Sequence, residues 1–564
     1  MKVDKQLLWL AISSIAVVIL GTIGFYTLAP ENGFLTAVYQ SVQLFSMESG
    51  VLEHPPTPML LEAARWLALF TLLAAVYASL QAIFTHFKST VRIAFTKNHA
   101  IVCGAGRRGD VIARAFLKSG NGKVVIVEID ENNNTIGEMR SLGAEVVIGN
   151  ALDDSILQKA GIARARSLVA VTGSDEKNLA ICSTVEKHLN PNCELSAGLE
   201  TWAWRTYFLD RLKSKIRLDS YLCRASRGLM MKIACEAIRQ PALRTNGVRI
   251  LIDAVDATRQ EMLRAAILML QISGDKKPVV EITSVAEGEE AAFLDRYPAA
   301  HLVADLRWHT GTASQTFSES SSDSPDFAVF ALGSDIETLE ASERFWMRHN
   351  TPDDRVIACL QGESDTIHST SLQKKERDFP VFNLFSFGLG AKDPLEPDIE
   401  QRAKICHTVY FKNEQAKNPS YGTKSGDLPE RWHSLPERIR ESNRLAAMHH
   451  EVKRNAWQTK GNTDDRAMLS HLSRCEHMRW MAEKAMDGWR WSGSDSKATR
   501  DNDKLKHHLL VSYDSLDNPE KDKDYNAFLW SLDIPENELA NIQINEEARR
   551  MVNLAKKLEV SNLD

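Results

Sequence analysis

Residues 98–130 read NHAIVCGAGRRGDVIARAFLKSGNGKVVIVEID, and this stretch decides the fold. Asn98–Cys103 has the character of a short buried strand. Gly104, Gly106 and Gly109 follow in G-x-G-x-x-G spacing, and the apolar periodicity after them predicts a helix. Lys123–Ile129 is a second strand, which brings Glu128 to a point 24 residues beyond Gly104. G-x-G-x-x-G alone is a weak signal, but between a strand and a helix it has a mechanism. The glycines permit a tight turn and close backbone approach, and the helix start offers unpaired N–H groups to a phosphate. An acid at the end of the second strand stands where sugar hydroxyls would lie. Arg107 and Arg108 add either phosphate contacts or solvated surface charge.

The alternation continues downstream. Helix Glu138–Leu142 leads to strand Glu145–Ile148, helix Ser155–Gly161 to strand Ser167–Val171, and a helix through His188 to strand Glu194–Gly198. That rhythm predicts a doubly wound parallel sheet. After a helical stretch at 212–239 the rhythm repeats. Strands are expected at Arg249–Ile252, Pro278–Ile282, His301–Ala304, Asp326–Leu332, Arg355–Cys359 and Val381–Phe387. Helices are expected at Asp256–Gln271, Glu287–Tyr297 and Glu337–His349. The first turn of this copy carries Asp253 and Asp256 where glycines would stand, and carboxylates there would repel phosphate. Thr316–Pro325 is a polar, Ser-rich insertion.

Upstream, the chain is written for a different solvent. Leu7–Leu28 and Trp66–Phe87 are uncharged runs of bilayer-spanning length. Lys2 and Lys5 precede the first, and Lys88, Arg92 and Lys97 follow the second, which places both termini on the cytoplasmic side. About 37 residues separate the runs. Within them Gly33–Phe45 is apolar but only half a membrane long, as re-entrant segments are, and Ser46-Met47-Glu48-Ser49-Gly50 follows it. This layout resembles the pore module of two-span tetrameric cation channels. The loop lacks the Gly-Tyr-Gly of potassium filters and is a little more similar to the acid-Ser-Gly loop of the Castor and Pollux channels. As a pore, four Glu48 carboxylates would ring the path; as a membrane anchor, residues 31–60 would be a solvated external loop.

The segment from about Lys97 to Glu200 resembles the RCK, or Trk-type, nucleotide-binding domain. The resemblance implies NAD(H) or an adenine nucleotide as ligand, held by Gly104, Gly106, Arg107, Gly109, Glu128, Asp130, Asn150 and Thr172, with Asn150 standing where the family usually has Asp. Tandem halves, one intact and one degenerate, are common in channel gating rings.

Residues 400–540 resemble the RyR repeat domain of ryanodine receptors. The matching features are Glu476-His477-Arg479-Trp480, Gly488-Trp489, Lys506-His507-His508, Tyr513, Leu516 and the charged run Glu520–Asp524. Arg444, Arg479, Trp480, Trp489, Lys506 and Tyr525 mix cations with aromatics, as a small-ligand pocket would, although aromatics at this spacing also build cores.

Composition bounds the rest. The 564 residues are 25% charged and 44% hydrophobic, which excludes wholesale disorder. A net charge of −6 argues against a nucleic-acid partner. Eight cysteines without a CxxC pair favour reduced thiols over disulfides or zinc. Four segments are expected: a two-span α-helical membrane domain at 1–96, α/β doubly wound domains at 97–244 and 245–399, and a mainly α domain at 400–564. The function that follows is a homotetrameric, nucleotide-regulated cation channel of the cell membrane, with no metal and no catalytic set. The alternative is a membrane-anchored nucleotide-sensing effector without a selective pore.

Overall fold

A computed structural model describes residues 5–47, 57–118, 123–201, 216–317, 324–349, 352–361, 379–384, 398–421, 435–535 and 545–561, with a few single positions between them. The chain divides into two compact units, residues 1–95 and 96–564.

Among its described residues the first unit has three α-helices, Lys5–Leu28, Phe34–Gln43 and Met59–Phe95. Two windows, Leu8–Leu28 and Met59–Leu80, are long and apolar enough to cross a membrane. The helix of the second span thus starts at Met59, seven residues before the expected Trp66. Its early charges are neutralised in place, because Arg65 pairs with Glu62 at 2.8 Å and Thr57 Oγ1 donates to the same carboxylate. Close packing joins the three helices. A Cβ at Gly21 would lie 2.7 Å from Ser41 Cβ, and one at Gly24 would lie 2.7 Å from Leu61 Cβ. Thr22 and Ser41 share a buried hydroxyl bond of 3.1 Å. The expected half-membrane segment is the helix Phe34–Gln43, which tightens through Leu44–Ser46 and stops at Met47, with φ of 61°. Glu48, Ser49 and Gly50 lie outside the described residues.

In the second unit, β1 (Ala100–Cys103), β2 (Val124–Glu128), β3 (Glu145–Ile148), β4 (Ser167–Ala170), β5 (Glu194–Gly198) and β6 (Arg217–Asp219) form a parallel sheet in the order 3-2-1-4-5-6. The sixth strand falls inside the stretch expected to be helical. It is three residues long, and the Ser220 side chain then caps helix Tyr221–Arg239 by accepting from Cys223 N–H. The second sheet comprises β7 (Arg249–Ala254), β8 (Val279–Ile282), β9 (Asp305–Trp308), β10 (Phe327–Ala331), β11 (Val356–Leu360) and β12 (Val381–Asn383). Its order, 12-11-10-7-8-9, is the same winding. The strand expected at His301–Ala304 is a helical turn, Ala300–Val303, and the strand lies just beyond it. A four-residue apolar run fits either element. β9 hid because its charged residues alternate along an exposed edge.

Among the described residues five C-terminal helices follow: Asp398–Lys417, Glu437–Gln458, Asp465–Met486, Asn518–Leu529 and Glu546–Ser561. They share one continuous apolar core with the second sheet, in which Ile250, Ile252, Leu229, Val452, Leu472 and Phe528 are all buried. Beside that core runs a buried ion network. Arg444 bonds Glu400 at 2.6 Å, Glu437 at 2.8 Å and Glu441 at 3.1 Å, and Arg440 bonds Glu437 at 2.8 Å. Arg227 meets Glu441 at 2.5 Å, and Arg205 meets Glu261 at 3.1 Å. Arg440 also donates to the carbonyl of Ile216, beside the edge strand β6.

Burial works to raise the Glu400 and Glu441 carboxyls, and the arginines around them override it and hold both well below the usual carboxylate range. Glu483 is brought to about 2 against its burial by Lys484 and Arg479. Carboxyls depressed in the folded state contribute stability that is complete above their unfolded pKa, about 4.3, and lost as pH falls towards the folded value. Burial also lowers His449 and His450, the latter to about 3, so protonation below about 6.5 favours the unfolded chain as well. Both effects have one sign. The melting temperature of the second unit should fall continuously from about pH 6.5 to pH 3, followed by circular dichroism. A flat profile over that window would refute the network's ionised state.

Candidate functional site

In a sheet wound 3-2-1-4-5-6, the connections leave β1 and β4 in opposite directions, and a crevice opens at their carboxyl ends. Here those ends are Cys103 and Ala170. The three glycines of the first turn divide by task. Gly104 has φ of +103° and donates to the Val127 carbonyl at 2.8 Å, and a Cβ there would lie 2.9 Å from the Val171 carbonyl oxygen. Gly109 lets the helix Arg107–Lys118 approach the turn, since a Cβ would fall 1.8 Å from the Gly104 carbonyl oxygen. A Cβ on Gly106 would meet nothing within 4 Å. Two glycines make the turn, and the third keeps a space open.

Glu128 closes the far side. It is buried at the end of β2, where one carboxylate oxygen accepts from Ala105 N–H at 2.5 Å and the other from Asp130 N–H at 2.9 Å. The acid and the glycine turn therefore brace each other. Thr135 Oγ1 adds a bond of 2.8 Å to the Ala105 carbonyl, and Asn133 Nδ2 adds one of 3.3 Å. Sequence spacing did not single out either side chain. Asp130 is exposed and caps its own turn through Asn132 N–H. Asn150 does the same through Leu152 N–H at 3.0 Å. Thr172 donates from N–H and Oγ1 to Asn178 Oδ1, at 2.8 and 2.7 Å. Asn178, fully buried and also missed, donates onward to the Gly198 carbonyl at 2.8 Å and so ties the ends of β4 and β5 together.

The arginines of the motif are engaged. Arg107 donates to the Gln361 carbonyl at the end of β11, in the other sheet's half. Arg108 meets Glu200 at 3.2 Å and lies over the Tyr221 ring. Burial raises the Glu200 carboxyl despite Arg108 and a bond from Ser220.

The matching turn of the second half is closed by its own side chains. Asp253 is buried, accepting from Ser284 Oγ at 2.9 Å and Ala313 N–H at 3.3 Å. The Arg259 guanidinium lies on the turn, donating to the Ala254 and Ser284 carbonyls at 2.7 and 2.8 Å and pairing with Glu289.

Burial pushes the Cys103 and Cys359 thiols far up, so neither supplies a thiolate. Among the described residues no group of three His, Cys, Asp or Glu side chains could hold a metal.

Of the C-terminal residues singled out from sequence, Arg479, Trp480 and Trp489 line one cleft, and Arg444, Lys506 and Tyr525 do not. Arg444 belongs instead to the buried ion network. Lys506 sits on a two-residue strand paired with Arg490–Trp491, and Tyr525 packs against the shared core.

Comparison with known proteins finds matches centred on the first sheet. Residues 100–201 match the TrkA-N domain family. Potassium channel protein 1 of Methanocaldococcus jannaschii is 38% identical over 109 residues, which are 19% of this chain and 32% of that protein. The Trk system potassium uptake protein TrkA homolog of Pyrococcus horikoshii is 37% identical over 95 residues, 17% of this chain and 40% of that protein. The chain thus spans well under half the length of these relatives. Among solved structures, the GsuK channel bound to NAD aligns with 68% of this chain and 83% of its own, at a TM-score of 0.37 and 14% identity. Residues 100–201 of this chain thus match a TrkA-N domain, set within a tandem of doubly wound sheets.

Proposed function

We propose that this protein is the subunit of a ligand-regulated cation channel, and that NAD(H) or another adenine nucleotide binds the crevice between β1 and β4. The observation that carries the proposal is the open space at Gly106, on the same turn that Glu128 braces through Ala105 N–H. A pyrophosphate would lie along Gly104–Gly106 at the start of helix Arg107–Lys118, where unpaired N–H groups point. Glu128 spends one acceptor position per oxygen on backbone, and its remaining lone pairs would receive ribose hydroxyls.

In this proposal residues 1–96 form the pore domain, with both termini cytoplasmic. Four copies would bring the half-membrane helices Phe34–Gln43 together, with Ser46–Gly50 at their ends and the Glu48 carboxylates attracting cations. Residues 97–244 bind nucleotide, residues 245–399 form the closed second half, and residues 400–564 form an RyR-type domain. A nucleotide with unequal affinity for two arrangements of this body would shift the pore's open fraction by that difference.

Three substitutions separate binding from folding. Gly106→Val should abolish nucleotide binding in calorimetry while leaving the melting temperature nearly unchanged. Glu128→Ala should weaken binding about ten- to a hundredfold, the ~1.5–3 kcal/mol of a charged hydrogen bond. Gly109→Ala should instead destabilise the domain by about 1–3 kcal/mol, because its Cβ meets backbone. If the wild-type chain binds no NAD, NADH, ATP or ADP at millimolar concentration, the crevice assignment is wrong.

In planar bilayers the purified protein should give single-channel cation currents that nucleotide alters. Glu48→Gln should reduce conductance or shift cation preference without loss of assembly. Nucleotide binding without any unitary current would favour the anchored effector.

A further inference from the structure

The C-terminal helices enclose a second cleft, of about 840 Å³, a volume within the ordinary range for small-molecule sites. Helices Glu437–Gln458, Asp465–Met486 and Asn518–Leu529 and the loop 489–509 all contribute to its lining. Its floor is charged and self-compensated. Arg479 bonds Glu476 and Glu483, each at 2.8 Å; Glu483 also meets Lys484, and His477 meets Asp524 at 3.1 Å.

One wall is aromatic. Trp480 stands edge-on to His507, their centroids 4.9 Å apart, and His508 stacks on His507 at 5.0 Å with the rings 8° from parallel. Trp489 closes on the same ring at 5.6 Å. Burial, with Arg500 nearby, brings His507 down to about 3, so this wall is a neutral surface at physiological pH. Leu509 N–H donates to His507 Nδ1, which puts the ring proton on Nε2. That N–H makes no hydrogen bond among the described residues. Trp489 Nε1 and His508 Nδ1 are buried and have no partner among the described residues.

The rim differs in charge from the floor. Lys497 and Arg500 are exposed, and neither has a carboxylate within 4 Å among the described residues; Arg500 touches only the Asn502 amide, at 3.0 Å. Across the whole lining, six Lys and Arg face four carboxylates, and the two rim cations are the surplus. A neutral aromatic wall favours a planar ring, and uncompensated cations beside it favour an anion. A cationic ligand is excluded by the same rim.

We propose that this cleft is a second small-molecule site, separate from the crevice between β1 and β4, and that it takes a nucleoside phosphate. The base would lie against Trp480 and the paired histidines, and the phosphate would be held by Lys497 and Arg500.

The test uses the full chain in detergent with the first site blocked by Gly106→Val, titrated calorimetrically with ADP, GDP, UDP, adenosine and inorganic phosphate. At least one nucleoside diphosphate should bind at one per chain, at least about tenfold more tightly than adenosine or phosphate alone. Lys497→Glu with Arg500→Glu should weaken the diphosphate at least about tenfold and leave adenosine unchanged, the loss expected when charged hydrogen bonds are removed. Trp480→Ala should weaken both. Both rim residues are exposed, so an unchanged melting temperature certifies the fold of the double variant. No binding of any of the three diphosphates at millimolar concentration overturns the proposal. So does binding indifferent to the rim pair, or phosphate binding as tightly as the best diphosphate. Should Gly106→Val fail to fold, wild-type stoichiometry decides: two diphosphates per chain must fall to one in the rim variant. A single wild-type site lost in the rim variant would instead remove the crevice reading and leave this one.

Discussion

The second unit depends on the buried network around Arg444. Taking several charges out of water is costly, and an ion cluster of this kind contributes less net stability than well-packed apolar groups would. What it imposes is position. Removing one partner leaves an unpaired charge in a dry site, typically at a cost of about 3–5 kcal/mol. Glu400, Glu437 and Glu441 come from the C-terminal helices, Arg227 from the helix after β6, and Arg205 and Glu261 extend the pattern to the helix after β7. Sliding any of these elements by one turn would strand several charges at once. Helix Glu437–Gln458 is the common member. Glu437, Arg440, Glu441 and Arg444 occupy its i, i+3, i+4 and i+7 face, and Arg438, Ser442 and Asn443 line the cleft on another. One rigid rod therefore serves both the junction and the cavity.

The two sheets present a controlled comparison. Strand order is identical, yet the first turn of one is open at Gly106 and the equivalent turn of the other is occupied by Arg259. Topology creates a crevice in both cases, and a few side chains decide whether anything can enter it. The acids of the second turn do not act by repulsion alone, as the sequence implied. Asp253 is consumed internally and orders its neighbours. Arg107 joins the two halves through the Gln361 carbonyl, so a guanidinium of the glycine motif is also an inter-domain contact.

Legibility in the sequence followed physical contrast. Central parallel strands such as AIVC and VVIVE are buried on both faces and announce themselves as apolar runs between turn residues. The elements that escaped were at edges: β6, three residues long, and β9, whose alternating Asp305 and Arg307 look like loop. The glycine motif and Glu128 could be placed from spacing alone. Asn178 and Thr135 could not, because each acts on backbone far along the chain, and nothing local marks an asparagine that will bond a carbonyl twenty residues away. Arg444 shows the opposite failure. A basic residue among aromatics read as a ligand contact, and its three carboxylate partners, one of them over forty positions distant, became visible only on folding.

In the proposed membrane placement of the first unit, Gly21 and Gly24 of its first helix have a thermodynamic consequence. In lipid, surrounding tails are as apolar as leucine, so bringing these helices together expels no water and gains nothing from the hydrophobic effect. What holds Gly21 against Ser41 and Gly24 against Leu61 is dispersion at short range, together with the Thr22–Ser41 hydroxyl pair. Separating the helices within a bilayer would then be accompanied by almost no heat-capacity increment, whereas melting the body beyond Thr96, which exposes its core to water, carries a large one. The two units of this chain would therefore answer temperature by different laws: a broad dome of stability for the aqueous part, and a nearly straight line for the part in the membrane.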